Sequence, residues 1–146
     1  IGNFNSENRY MPLDKAEDMS LLSTTGRGFY VLGLLDGGSE PTTHAMQDIA
    51  LVKDQLDKWG RSFVFLFQNE EHKNNFEKKN FQGLPENLTF GIEDGKMLKE
   101  IVANMRLQNN NLPIFIVANT QNEIVFISQG YTIGLGEQLM KVINEL

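Results

Sequence analysis

The chain has 146 residues, of which 40% are hydrophobic and 22% are charged, so it is long and apolar enough to fold around its own core. Its formal net charge is −6 and its Lys and Arg residues are scattered, so we expect it to bind neither nucleic acid nor an anionic membrane surface. It contains no cysteine, which excludes disulfides, thiolate nucleophiles, cysteine zinc sites and thiol redox chemistry.

We predict that residues 1–28 form an N-terminal extension that packs on, or leads into, a domain over residues 29–146. The extension opens with a polar stretch, Gly2 to Arg9, which we expect to act as a tether. The sequence begins without an initiator Met and without a signal peptide, so we interpret it as a fragment of a larger protein. No apolar run approaches the roughly 20 residues that a membrane span needs.

A strand, a helix and a second strand follow in order. The continuous apolar run from Phe29 to Leu35 predicts a strand that is covered on both faces. Ser39–Pro41 predicts the start of a helix, because serine caps helix amides and proline is tolerated in the first turn. Apolar residues then recur every three or four positions as far as Gly60, which predicts one long helix. Ser62–Phe67 predicts a second buried strand, and this βαβ unit requires the two strands to be parallel.

The second half of the chain continues the α/β pattern. Pro113 stands at the start of an apolar run, a position that suits proline in a strand. The predicted elements are a surface helix over Glu70–Asn80, a strand over Leu88–Ile92, a helix over Met97–Met105, a strand over Ile114–Ala118, a hairpin partner over Ile124–Ser128 and a last helix from Leu135 to Leu146.

Candidate catalytic groups near the first long helix favour a structural interpretation. Ser39 and His44 are five positions apart and lie roughly 140° apart around a helix, so we predict no nucleophile–base pair and interpret Ser39 as a helix cap. Glu40 and His44 are four positions apart and share a face, but the only other histidine is His72. We therefore predict a solvated pair, with no metal site and no cofactor.

The order of elements, with its proline-led strand, hairpin and terminal helix, resembles the thioredoxin superfamily, especially the TlpA- and peroxiredoxin-like branch. In that family a tryptophan and Cys-x-Pro-Cys stand between the first strand and the long helix. Here Gly38 and Ser39-Glu40-Pro41-Thr42 occupy those places, so both thiols are replaced by hydroxyls. Leu112-Pro113 is similar to the family's cis-proline loop, and Gly130 to the glycine that closes the hairpin. The opening residues have a weaker resemblance to the C-terminal module of bacterial secreted transglutaminase-like proteins.

The resemblance implies an α/β fold with a central mixed sheet flanked by helices, and a cis Leu112–Pro113 bond that faces the start of the long helix. It also implies a bacterial protein in the periplasm or outside the cell. In the family, the loop before the proline pairs with the backbone of an extended peptide, and such pairing needs no sulfur.

We therefore predict a redox-inactive module that binds a protein or an extended peptide segment, or supports neighbouring domains of the same chain. The alternative is a non-redox enzyme that uses Glu40 and His44 in the same cleft. A closed pocket with perturbed titratable groups would favour the enzyme, and an open surface would favour the binding module. The predicted groove consists of Gly37, Gly38, Ser39, Glu40, Pro41, Thr42, His44, Leu112 and Pro113.

Overall fold

Eight strands form one mixed sheet in the computed structural model, which describes residues 1–146, and six helices flank this sheet. The strands are β1 (Gly2–Asn3), β2 (Arg9–Pro12), β3 (Met19–Ser20), β4 (Phe29–Leu35), β5 (Phe63–Phe67), β6 (Leu88–Ile92), β7 (Ile114–Asn119) and β8 (Glu123–Gln129). The helices are α1 (Leu21–Thr25), α2 (Glu40–Leu51), α3 (Lys53–Trp59), α4 (Glu70–Lys79), α5 (Lys96–Asn104) and α6 (Leu135–Asn144).

The strand order across the sheet is β1-β8-β7-β4-β5-β6-β2-β3. The three strands β4, β5 and β6 are parallel, whereas β7 runs antiparallel to β4 and β8 runs antiparallel to β7. The central strands β4, β5 and β7 bury almost every residue, which is why each is a continuous apolar run in the sequence. The predicted α/β fold, with a central mixed sheet and flanking helices, is confirmed.

Helices cover both faces of the sheet. On one face, α2, α3, α4 and α6 pack around an apolar cluster that includes the fully buried Phe65 of β5. On the other face, α1 and α5 pack together with Phe4 and Tyr10 from the N-terminal part of the chain. None of the six helices combines the length and the apolar character that crossing a membrane requires.

The segment predicted as one helix between Ser39 and Gly60 consists of two helices, α2 and α3. The backbone leaves helical geometry at Val52, where φ is −114° and ψ is 20°. Near this break α6 crosses α2 closely, since a Cβ atom added to Gly136 would lie 2.5 Å from the carbonyl oxygen of Asp48. The apolar spacing continues through the break, so the sequence pattern does not reveal it.

Residues 1–28 contribute strands to both halves of the sheet. The strand β1 pairs with β8 at one edge, whereas β2 pairs with β6 and β3 forms the other edge. The division into an extension over residues 1–28 and a domain over residues 29–146 stays a prediction, although both parts share one sheet.

The predicted tether over Gly2–Arg9 is wrong, because this stretch is built into the fold. Phe4 is fully buried. The Ser6 hydroxyl lies 2.8 Å from the Tyr30 hydroxyl and donates to the carbonyl oxygen of Asn119 at 3.0 Å. The polar residues of this stretch therefore find partners far along the chain, which a local sequence pattern cannot show.

Candidate functional site

The start of α2 and the loop before β7 lie at the same end of the two central strands β4 and β7. The strands β4 and β7 are antiparallel, with Leu34 opposite Ile114. The residues after β4 and the residues before β7 are therefore neighbours. Both predicted groove segments, 37–44 and 112–113, lie at this end of the strands. The Leu112–Pro113 peptide bond is cis.

The loop before β7 presents unpaired backbone groups at Leu112. Neither the N–H nor the C=O of Leu112 makes a hydrogen bond within the chain, and its side chain is half-buried against the α5 face of the sheet. The residues before it are held by the Gln129 amide, which donates to the carbonyl oxygens of Asn109 at 3.2 Å and Asn111 at 3.0 Å. The loop thus carries a free donor and a free acceptor on a fixed backbone.

The turn between β4 and α2 is organised by Asp36. Its Oδ1 atom accepts hydrogen bonds from the Gly38 and Ser39 amides, each at 3.2 Å, and from the Thr42 hydroxyl at 2.7 Å. Burial would raise the pKa of the Asp36 carboxyl group, but the hydrogen bonds from Ser39, Thr42 and the backbone outweigh it and lower the pKa below 3.8. The turn therefore holds an ionised carboxylate that accepts hydrogen bonds from the residues that follow it.

The two glycines of this turn lie under α4. A Cβ atom added to Gly37 would lie 2.7 Å from the Cβ atom of Asn75, and one added to Gly38 would lie 3.1 Å from Cγ of Lys79. Gly38 also has a φ of 106°, a conformation that other residues rarely adopt. Gly37 and Gly38 therefore leave the space that the side chains of α4 occupy beside this turn.

The two hydroxyls that replace the family's thiols have different environments. Ser39 is the N-cap of α2 and is exposed, and its hydroxyl accepts from the Thr42 amide at a long 3.5 Å. Thr42 is completely buried and directs its hydroxyl to Asp36. Of the two hydroxyls, only that of Ser39 is therefore exposed to solvent.

Glu40, Pro41 and His44 form an open surface pocket with Tyr131, which lies in the loop before α6. The Nε2 atom of His44 lies 3.7 Å from Oε1 of Glu40, and the rings of His44 and Tyr131 meet edge to face with centroids 4.7 Å apart. Ser39 and His44 make no hydrogen bond, and nowhere in the chain do three His, Asp or Glu side chains converge as metal ligands would. At this pocket the structure therefore shows neither a hydrogen-bonded Ser39–His44 pair nor a cluster of metal-ligating side chains.

Sequence reasoning missed two residues of this region, Asp36 and Tyr131. An aspartate followed by two glycines is a turn signal, but its bond to Thr42, six positions away, depends on the path of the chain. Tyr131 follows the predicted hairpin glycine, and no local pattern places it against His44. Both residues lie between the predicted helices and strands.

Solved structures share this fold. The thioredoxin domain of a thiol-disulfide oxidoreductase from Bacteroides vulgatus matches with a TM-score of 0.65 at 12% identity, covering 99% of both chains. The exposed lipoprotein thioredoxin of Streptococcus pneumoniae matches with a TM-score of 0.64 at 13% identity, covering 94% of this chain and 98% of its own. Peroxiredoxin Q from Xanthomonas campestris matches with a TM-score of 0.68 at 10% identity, covering 97% and 92%. No protein-family model and no curated protein matches the sequence.

At these identities the similarity establishes the fold. The chain has a thioredoxin-like fold, as the resemblance implied. Because it has no cysteine, it lacks the thiols that disulfide exchange requires. The weaker resemblance to transglutaminase-like proteins stays a prediction.

Proposed function

We propose that this chain is a redox-inactive thioredoxin-like module that binds an extended segment of protein along the Leu112–Pro113 loop. The segment belongs to another protein or to a neighbouring domain of the same protein. The observation that carries this proposal is the unpaired N–H and C=O of Leu112, just before β7 and at the end of the sheet where α2 begins. An extended peptide pairs with such groups through its own backbone.

The absence of thiols makes this interaction reversible and non-covalent. A thiol in this position could form a mixed disulfide with a partner, whereas the Ser39 hydroxyl cannot. Ser39 and the Asp36 turn would then serve as a wall of the groove, opposite the Leu112–Pro113 loop.

The enzyme alternative receives less support from the geometry. Glu40 and His44 lie together, but their side chains are 87% and 42% exposed and nothing encloses them. Water-exposed groups of this kind do not provide the excluded, preorganised site that acid–base catalysis needs. We therefore propose the binding module alone.

The test is a screen of immobilised protein against a random dodecapeptide library, followed by affinity measurement for the retained peptides. In a semisynthetic variant, Leu112 is replaced by its α-hydroxy acid, which removes the backbone N–H and keeps the side chain. One lost hydrogen bond is worth about 0.5–1.5 kcal/mol, so we expect affinity to fall about three- to tenfold.

The matched control carries the same replacement at Leu84, whose N–H also makes no hydrogen bond within the chain. That variant should bind the peptides as the wild type does. A library that yields no binder, or an unchanged affinity at the Leu112 ester, would refute the proposal.

A further inference from the structure

The pocket formed by Glu40, Pro41, His44 and Tyr131 brings together two separate segments of the chain. The first three residues lie in the first turns of α2. Tyr131 lies in the loop before α6, where its ring contacts His44 edge to face at an interplanar angle of 81°. The pocket has a volume of about 330 Å³ and opens to solvent beside the first turns of α2.

An aromatic ring in this pocket remains largely uncovered. Tyr131 is 53% exposed, although a tyrosine normally buries most of its ring and leaves only its hydroxyl group in water. The contact with His44 fixes the ring beside α2. About half of Tyr131 is therefore accessible to a side chain of a bound partner.

The pocket also carries an uncompensated negative charge. Glu40 is 87% exposed, and its only ionisable contact is His44, which bears charge only when protonated. No Lys or Arg forms an ion pair with Glu40, and the neighbouring Lys79 extends over Gly38 on the α4 side of the turn. The net charge of −6 over the whole chain adds a field that attracts cations.

We propose that this pocket binds an arginine side chain of the extended segment whose backbone pairs with Leu112, an inference that rests on the proposed function. A guanidinium group is flat, so it stacks on an aromatic ring while its N–H groups bind a carboxylate in its own plane. Tyr131 supplies the ring and Glu40 supplies the carboxylate. Lysine offers a single ammonium group, so it should bind more weakly than arginine.

The test uses a small probe that is independent of the rest of the groove. N-acetyl-arginine-N-methylamide is titrated into isotope-labelled protein and compared with the citrulline analogue, which has the same shape and no charge. We expect the arginine probe to shift the NMR signals of Tyr131 and His44 and to bind about three- to tenfold more tightly than the citrulline probe. Glu40→Gln and Tyr131→Leu should each reduce this difference.

The matched control is Asp54→Asn, which removes one exposed carboxylate from the first turn of α3, where it makes no ion pair. If Glu40→Gln and Asp54→Asn reduce the affinity for the arginine probe equally, the probe is attracted by the overall negative charge of the protein. That result would refute binding in this pocket. In the peptide library, arginine enriched at one fixed position would support the inference. Binders without that enrichment would refute the inference and leave the proposed function standing, whereas a library without binders would refute both.

Discussion

Replacing Asp36 tests how the turn before α2 is held. The Thr42 hydroxyl is buried and donates to Asp36 at 2.7 Å, so Asp36→Ala leaves it without its acceptor. An unsatisfied buried hydroxyl costs about 1–3 kcal/mol. The two amides that also bind Asp36 lie nearer the surface and can turn to water, so they add less. We expect Asp36→Ala to lower the free energy of unfolding by about 2–4 kcal/mol.

A double-mutant cycle separates the Thr42 bond from the amide bonds. Thr42→Val keeps the shape of the side chain and removes the hydroxyl, so in this background Asp36→Ala should cost about 1–2 kcal/mol less. Thr43→Val is the control, because the Thr43 hydroxyl donates to the Gly38 carbonyl oxygen and makes no bond to Asp36. The free energy of unfolding of each variant is measured by urea titration, with circular dichroism as the signal. A coupling below about 0.5 kcal/mol between Asp36 and Thr42 would refute this account of the turn.

The same carboxylate predicts a dependence of stability on pH. Because folding lowers the pKa of Asp36 below 3.8, its stabilising contribution is present above that value and is lost as the pH falls through the folded-state pKa. The difference in unfolding free energy between the wild type and Asp36→Asn should therefore be largest near neutral pH and shrink below about pH 4. A difference that stays constant from pH 7 to pH 3 would contradict the ionised state of this group.

Three further variants test other parts of the fold. Burial raises the pKa of Tyr30 to about 12, so only the unfolded chain ionises this group as the pH rises above 10. The wild type should therefore lose about 2 kcal/mol of stability relative to Tyr30→Phe between pH 10 and pH 12. Equal alkaline unfolding profiles would contradict this. Gly136→Ala should destabilise the protein by about 1–3 kcal/mol, because the new methyl group meets a carbonyl oxygen of α2; an unchanged urea midpoint would show that the two helices can separate freely. The double variant Ser39→Cys/Thr42→Cys should close a disulfide under mild oxidation, since the cap and third position of a helix bring Cα atoms within about 7 Å. A folded variant whose thiols stay reduced would show that the register of the resemblance is wrong.

The elements that could be predicted from the sequence are those with strong local signals. Phe29–Leu35 and Ile114–Ala118 are apolar runs bounded by turns, and the structure has strands there. Ser39 precedes an acid and a proline, and it is the N-cap of α2. These features depend on neighbouring residues alone, so pattern and propensity suffice to find them.

The elements that could not be predicted depend on partners far along the chain. Gly2–Asn3 has no strand-like composition and becomes a strand only because Glu123 and Ile124 lie beside it. The break at Val52 lies where α6 crosses, which no periodicity of α2 encodes. For the candidate site, the groove segments could be located through the resemblance, whereas the place of Tyr131 beside α2 required the folded chain.

The pairing of residues 1–12 with later strands has a consequence for the time course of folding. These residues are synthesised before the rest of the fold, yet Ser6 bonds to Asn119, a residue 113 positions later, and β1 pairs with β8. Contacts of such long range raise the contact order and slow folding, because closing a long loop costs conformational entropy before the contacts can form. During synthesis Phe4 therefore remains uncovered until β7 and β8 have emerged. Among these 146 residues, the stretch over residues 1–12 should therefore stay accessible to chaperones and proteases for the longest time.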